Sequence, residues 1–172
     1  NELRTEIRVI QKKLGISVVL VTHDQEEAFT ISDEVVVMNA GAVEQVGPPA
    51  TLVVAPQTQF VAKFVGRRNE ITCYLKDGCL YQSATNKLVA SNVALATVSE
   101  SNEYKVYFAP DAVVRSGGIE AEPLFHRDAG DFPQICARCG GGAIWLNNLW
   151  PDTPEIIRFG LDMSKVFVFA DT

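Results

Sequence analysis

An α/β segment followed by a mostly-β domain is the fold class this sequence predicts, and three observations predict it. Helix-spaced apolar residues lead through a glycine into a β-branched run, Ile16 to Val21, which passes directly into an acidic helix start. Beyond residue 66 helical periodicity stops, and short alternating segments separated by Gly, Pro and Asn take over. The 172 residues, 47% hydrophobic and 21% charged, are ordinary globular composition, enough for one good core or two small ones. The expected domains are 1–66 and 67–172.

The elements follow in order. In "NELRTEIRVIQKKLG" Leu3, Ile7, Ile10 and Leu14 fall on one helix face, and Gly15 is placed to end that helix. "ISVVLVT" is continuously apolar, which predicts a parallel strand covered on both faces. "DQEEAFTIS" predicts a short helix, with Asp24 and Glu27 spaced as in a capping box and acidic groups near the positive end of the dipole. "DEVVVMNAGAVEQVG" returns to strand around an Asn-Ala-Gly turn, and "PPATLVVAPQTQFVAKFVG" predicts two short helices, the second with Phe60, Phe64 and Val65 on one side. "GRRNEI", residues 66–71, reads as a linker. "EITCYLKDGCLYQ" is a hairpin signal around Lys-Asp-Gly, and "EYKVYFAPDAVVRSGG" turns at Ala-Pro-Asp. "AIWLNNLWPDTPEIIRFG" and "KVFVFADT" supply further aromatic and β-branched segments, so the second domain is expected to be a small barrel or a sandwich.

Charge and hydropathy exclude several classes. Each half carries a formal charge of −3, so neither is a basic arm for nucleic acid. The apolar stretches are too short to cross a bilayer, and no signal peptide opens the chain, so a membrane role must come through a partner. The chain starts at Asn1, without Met, inside an expected helix, which predicts a fragment or a trimmed chain.

His23 is the candidate functional residue. In open α/β sheets ligands bind beyond the carboxyl ends of the strands, and His23 stands where a strand is expected to meet a helix. A histidine there can bond a phosphate oxygen or an attacking water and exchange a proton near neutral pH. The structural alternative is a partly buried histidine bonded to a nearby carbonyl.

The surrounding text adds to this reading. "VVLVTHDQEEAFTISDEVVVMNAGAVEQVGPP" resembles the end of the nucleotide-binding domain of ABC importer ATPases, in the branch serving sulfate, molybdate, iron, polyamine and sugar uptake. The likeness runs on to "FVAKFVGRRN" and covers about 65 residues. It implies that residues 1–66 are the C-terminal part of a P-loop ATPase domain. His23 would be the switch (H-loop) histidine that contacts the γ-phosphate of ATP. Residues 67–172 would be the accessory TOBE-like β domain, an oligonucleotide-binding-like barrel. "YFAPDAVVRS" resembles the family's Arg-Pro-Glu-Asp segment, with Ala109 where Arg is usual and Asp111 where Glu is usual. The resemblance further implies ATP and Mg²⁺ as cofactors of a full-length parent, a homodimer, integral membrane permease subunits as partners, and a peripheral place on the cytoplasmic face of the membrane.

Other chemistry is weaker. The chain has no Gly-Lys-Ser/Thr phosphate loop, no Leu-Ser-Gly-Gly-Gln signature and no apolar strand ending in Asp-Glu to organise Mg²⁺. In the family these lie upstream, so neither ATP turnover nor a cofactor is expected for this chain alone. "CGGGAIW" is Gly-rich but lacks a following Lys. Glu26 and Glu27 point about 100° apart on a helix and suit a solvated first turn better than an acid/base pair. Cys136-Ala-Arg-Cys139 has the spacing of half a zinc knuckle, with Cys73 and Cys79 as further thiols. The alternative is four reduced thiols, and no metal ligand is assigned. The competing functional class is a non-enzymatic β module that binds a small ligand or dimerises, carrying an inert α/β tail. Without the rest of a sheet, residues 1–66 are expected to expose apolar strand faces and self-associate.

Overall fold

The computed structural model describes residues 2–66, 69–91, 103–127, 133–147, 149 and 152–171, with side chains from Glu6 onward. It forms two compact units, residues 1–66 and 67–172.

The first unit opens with helix α1 (Glu2–Leu14), closed at Gly15, whose positive φ of 64° lets its amide reach back to the Gln11 carbonyl at 3.0 Å. The expected apolar face does not make a core: Ile7, Ile10 and Leu14 are exposed. The expected parallel strand is also absent. Residues 16–22 pair with no strand among the described residues, and Val19 and Val21 are 91% and 93% exposed. Periodicity records what a segment can bury, but a strand exists only beside a neighbour that takes its hydrogen bonds.

Helix α2 (Gln25–Ile31) follows, then the hairpin of β1 (Val35–Asn39) and β2 (Ala42–Gly47). Its turn places Ala40 and Gly41 at φ 47° and 83°, the doubly left-handed geometry of a tight hairpin. Helices α3 (Pro49–Val54) and α4 (Gln59–Phe64) appear where the proline punctuation predicts them. Val35, Val37, Leu52, Val61 and Val65 make the core, with Phe60 and Phe64 stacked beside it at 6.2 Å. Buried Gln45 donates to the Ala55 carbonyl at 3.0 Å and accepts from the Gln57 amide at 2.9 Å. Both ends of the amide are used, so the α3–α4 connection is fixed to β2.

Among the described residues the strands of the second unit all pair antiparallel. One sheet has the order β11-β6-β3-β4-β5, built from β3 (Asn69–Lys76), β4 (Cys79–Gln82), β5 (Leu88–Ala90), β6 (Tyr104–Phe108) and β11 (Val166–Ala170). The other has the order β10-β7-β8-β9, from β7 (Val113–Arg127), β8 (Gln134–Cys139), β9 (Gly142–Asn147) and β10 (Ile157–Leu161). Asn69 already belongs to β3, so the expected linker is shorter than 66–71; Arg67 and Arg68 lie outside the described residues, as do Asn148, Trp150 and Pro151 of the aromatic segment. The predicted Asp-Gly hairpin is present, with Asp77 and Gly78 at φ 51° and 72°.

Both sheets contribute to one core, centred on Val106, Phe108, Ile119, Ile135, Ile144 and Phe159. Among the described residues the strands make two open sheets and no closed barrel. The sheets are tied through Asn69. Buried Asn69 exchanges two bonds with the Trp145 backbone, donating to its carbonyl at 2.6 Å and accepting from its amide at 2.7 Å. Where β7 and β10 converge, a Cβ on Gly117 would stand 2.3 Å from the Gly160 Cα. The pairing of Phe159 with Ile119 jumps there to Gly160 with Val114, so β7 bulges and bends.

Candidate functional site

His23 lies at the bend between the extended segment 16–22 and α2, and its side chain is exposed. No hydrogen bond to a carbonyl holds it among the described residues, so the buried, carbonyl-bonded alternative does not describe it. What holds the bend is its neighbours. The Thr22 hydroxyl donates to Glu27 Oε2 at 2.7 Å and accepts from the Asp24 amide at 3.0 Å. Asp24 Oδ1 accepts from the Glu27 amide at 3.1 Å, which caps α2. These three bonds close a ring around His23.

The far end of α2 is held by α1. Arg8 donates to the Ile31 carbonyl at 2.7 Å and to Asp33 Oδ2 at 2.9 Å, and a second guanidinium nitrogen also engages Asp33. The fork fits the carboxylate, and this hydrogen bonding holds the Asp33 carboxyl below the usual carboxylate range. The helix that carries the candidate site is therefore fixed at both ends, although it is only seven residues long.

The acidic pair separates as expected for a helix start: Glu26 is exposed, while Glu27 turns back to Thr22. The sequence reading missed Thr22. Its signal was a hydroxyl residue two before the cap and five before a carboxylate, a pattern with no meaning until the chain bends.

The cysteines do not gather. Cys136 and Cys139 are three apart on β8, so they face opposite sides of the sheet. Cys139 and Cys73 enter the core, and among the described residues no three His, Cys, Asp or Glu side chains are placed to share a metal ion. Burial pushes the Cys73 thiol up to about 12, with Cys139 adding to the effect, and burial also raises Cys139. The Gly140–Gly142 turn lines an open cleft of about 860 Å³ with Glu70, Lys105, Gln82 and Trp145. Lys105 is already engaged by Thr72 at 2.9 Å and Asp171 at 3.3 Å.

No family model matches the chain. Curated proteins do. It is 47% identical over 78 residues to the sulfate/thiosulfate import ATP-binding protein CysA 2 of Chromobacterium violaceum, covering 45% of this chain and 21% of that protein. It is 54% identical over 69 residues to the spermidine/putrescine import ATP-binding protein PotA of Lawsonia intracellularis, 40% of this chain and 19% of that one. The Fe(3+) ions import ATP-binding protein FbpC 2 of Rhizobium meliloti is 47% identical over 76 residues, 44% of this chain and 19% of its own. The homologues of this chain are ABC importer ATP-binding proteins. The chain matches about one fifth of the length of these importer subunits, and their names differ in solute while their identity to it stays near one half.

Proposed function

We propose that this chain is the C-terminal part of the ATP-hydrolysing subunit of an ABC importer, and that His23 is its switch histidine. The observation that carries the reading is an exposed imidazole at a capped helix start, in a chain whose homologues are ABC importer ATP-binding proteins. The imidazole fits a contact with the γ-phosphate of ATP because no protein group occupies it among the described residues. Bound at such a phosphate, ATP with Mg²⁺ would supply the cleavable bond. His23 would hold a phosphate oxygen or the attacking water. On this reading the Mg²⁺ site and the phosphate loop belong to a longer parent. This chain by itself is expected to bind ATP negligibly and not to hydrolyse it.

On this reading residues 1–66 are the end of the nucleotide-binding domain and residues 67–172 the TOBE-like accessory domain, of oligonucleotide-binding type. The parent works as a homodimer with membrane permease subunits at the cytoplasmic face, where ATP-driven closure moves the permease. No helix among the described residues is long and apolar enough to cross a membrane, which suits a subunit that meets the bilayer through that permease. The cleft beside the Gly140–Gly142 turn favours a second reading, in which the β unit acts as a non-enzymatic ligand-binding or dimerisation module.

An immunoblot of source cells against this chain separates the two. A band well above 18.8 kDa, from a polypeptide whose ATP turnover is abolished by His23→Ala, is the expected result. A native polypeptide of 18.8 kDa would overturn the ATPase reading and leave the β module.

A further inference from the structure

We propose that Thr22 and Glu27 form a positioning lock for His23, an inference that rests on the reading of His23 given above. Glu27 is in the first turn of α2, where a carboxylate gains from the dipole without any side-chain partner. It instead turns back and accepts the Thr22 hydroxyl at 2.7 Å. A hydroxyl has one proton to give, so this bond orients the Thr22 oxygen and leaves its lone pairs for the Asp24 amide at 3.0 Å. Glu27 enters the ring a second time through its own amide, which donates to Asp24 Oδ1 at 3.1 Å. The residues before and after His23 are thus tied to one another directly and again through Glu27, whose carboxylate accepts from the Thr22 hydroxyl and whose amide donates to the Asp24 carboxylate. The backbone of His23 is trapped between them, while no hydrogen bond among the described residues holds its ring.

The lock fixes where the imidazole starts and leaves only its side-chain torsions free. This is the arrangement needed by a group that must meet a phosphate at a set distance but be released after each turnover. Neither Thr22 nor Glu27 touches nucleotide on this account. Losing the lock therefore widens the spread of His23 positions, lowering kcat without weakening ATP binding. The contribution of Glu27 is its acceptor oxygen, not its charge. Glutamine keeps that oxygen, as serine at 22 keeps the hydroxyl.

The test uses the complete ATP-hydrolysing polypeptide that carries this segment, assembled with its permease, and compares H23A, E27A, E27Q, T22V and T22S. Expected are loss of turnover in H23A, and a kcat lowered about tenfold in E27A and T22V with KM for ATP held. E27Q and T22S should stay near wild type. In the 172-residue chain, amide exchange at Asp24 and Glu27 should accelerate in E27A and T22V but not in E27Q, with the β1–β2 amides unchanged as the folding control. Turnover retained in H23A would sink the reading of His23 and the lock's role with it, while the exchange data would still judge the lock as structure. Loss in H23A with full activity in E27A would overturn the lock alone. An E27Q enzyme as poor as E27A would overturn it too, by showing that charge is what matters.

Discussion

Single residues in this chain show how burial decides chemistry. Cys73 and Cys139 are both inside the β core, and the Gln82 amide donates to the Cys139 sulfur at 3.2 Å. Such thiols are poor nucleophiles, because the thiolate would stand in an apolar surround. Cys73, pushed up to about 12 from an ordinary value near 9.0, binds its proton more tightly folded than unfolded. Its contribution is therefore constant below about pH 9, and stability falls as pH rises from there toward about 12, by up to about 1.4 kcal/mol per unit. Urea unfolding at pH 8, 9 and 10 should show this decline in the wild type and a shallower one in Cys73→Ala. Equal slopes would mean that Cys73 ionises as freely in the fold as out of it. The CxxC spacing could not reveal this, since it reads the same on a loop, where both sulfurs converge, and on a strand, where they diverge.

Among the elements, the long strand β7 depends on glycine for its shape. Gly117 and Gly160 bring two backbones closer than any side chain allows, and Gly118 lies against Leu88, where a Cβ would stand 2.9 Å from its carbonyl oxygen. The bend lets one strand pair with β10 along one stretch and with β8 along the next. Gly117→Ala is expected to cost about 3 kcal/mol in denaturant unfolding, because backbone rather than a flexible side chain must give way. Gly141→Ala, with nothing within 4 Å of its added carbon, should be near neutral and serves as the control. A similar midpoint for the two variants would contradict the close approach. Residues 115–118, "RSGG", carry two glycines in the sequence, and they form the bulge of a continuous strand. Turn residues mark a departure from regular backbone; only the partner strand shows whether the chain reverses or merely bends.

At the scale of the whole molecule, the two units differ in how completely they cover their own apolar surface. The β unit seals a core from both sheets. The first unit leaves Ile16, Val18, Val19, Leu20 and Val21 exposed, with Val36, Met38, Val43 and Val46 on the outer face of its hairpin. Surfaces of this kind associate. Static light scattering should give a mass above that of one chain, rising with concentration, and Val19→Lys with Val21→Lys should lower it. A wild-type mass of one chain at every concentration would show that this surface is not sticky.

By itself the sequence determined the local grammar: helix ends at Gly15 and Asp24, the two tight hairpins, the proline-bounded helices, the change to β structure after residue 66, and His23 as the residue to examine. Each rests on a preference that neighbours along the chain express without outside help. Tertiary structure decided what depends on a second strand or side chain. Among the described residues it left the apolar run at 16–22 unpaired, and of the expected barrel or sandwich it made two open sheets around one core, not a closed barrel. It also sent Cys136 and Cys139 to opposite faces and closed Thr22, Asp24 and Glu27 around His23. A hydrogen bond between distant groups has no signature in one dimension, because its energy exists only once the fold has brought donor and acceptor together.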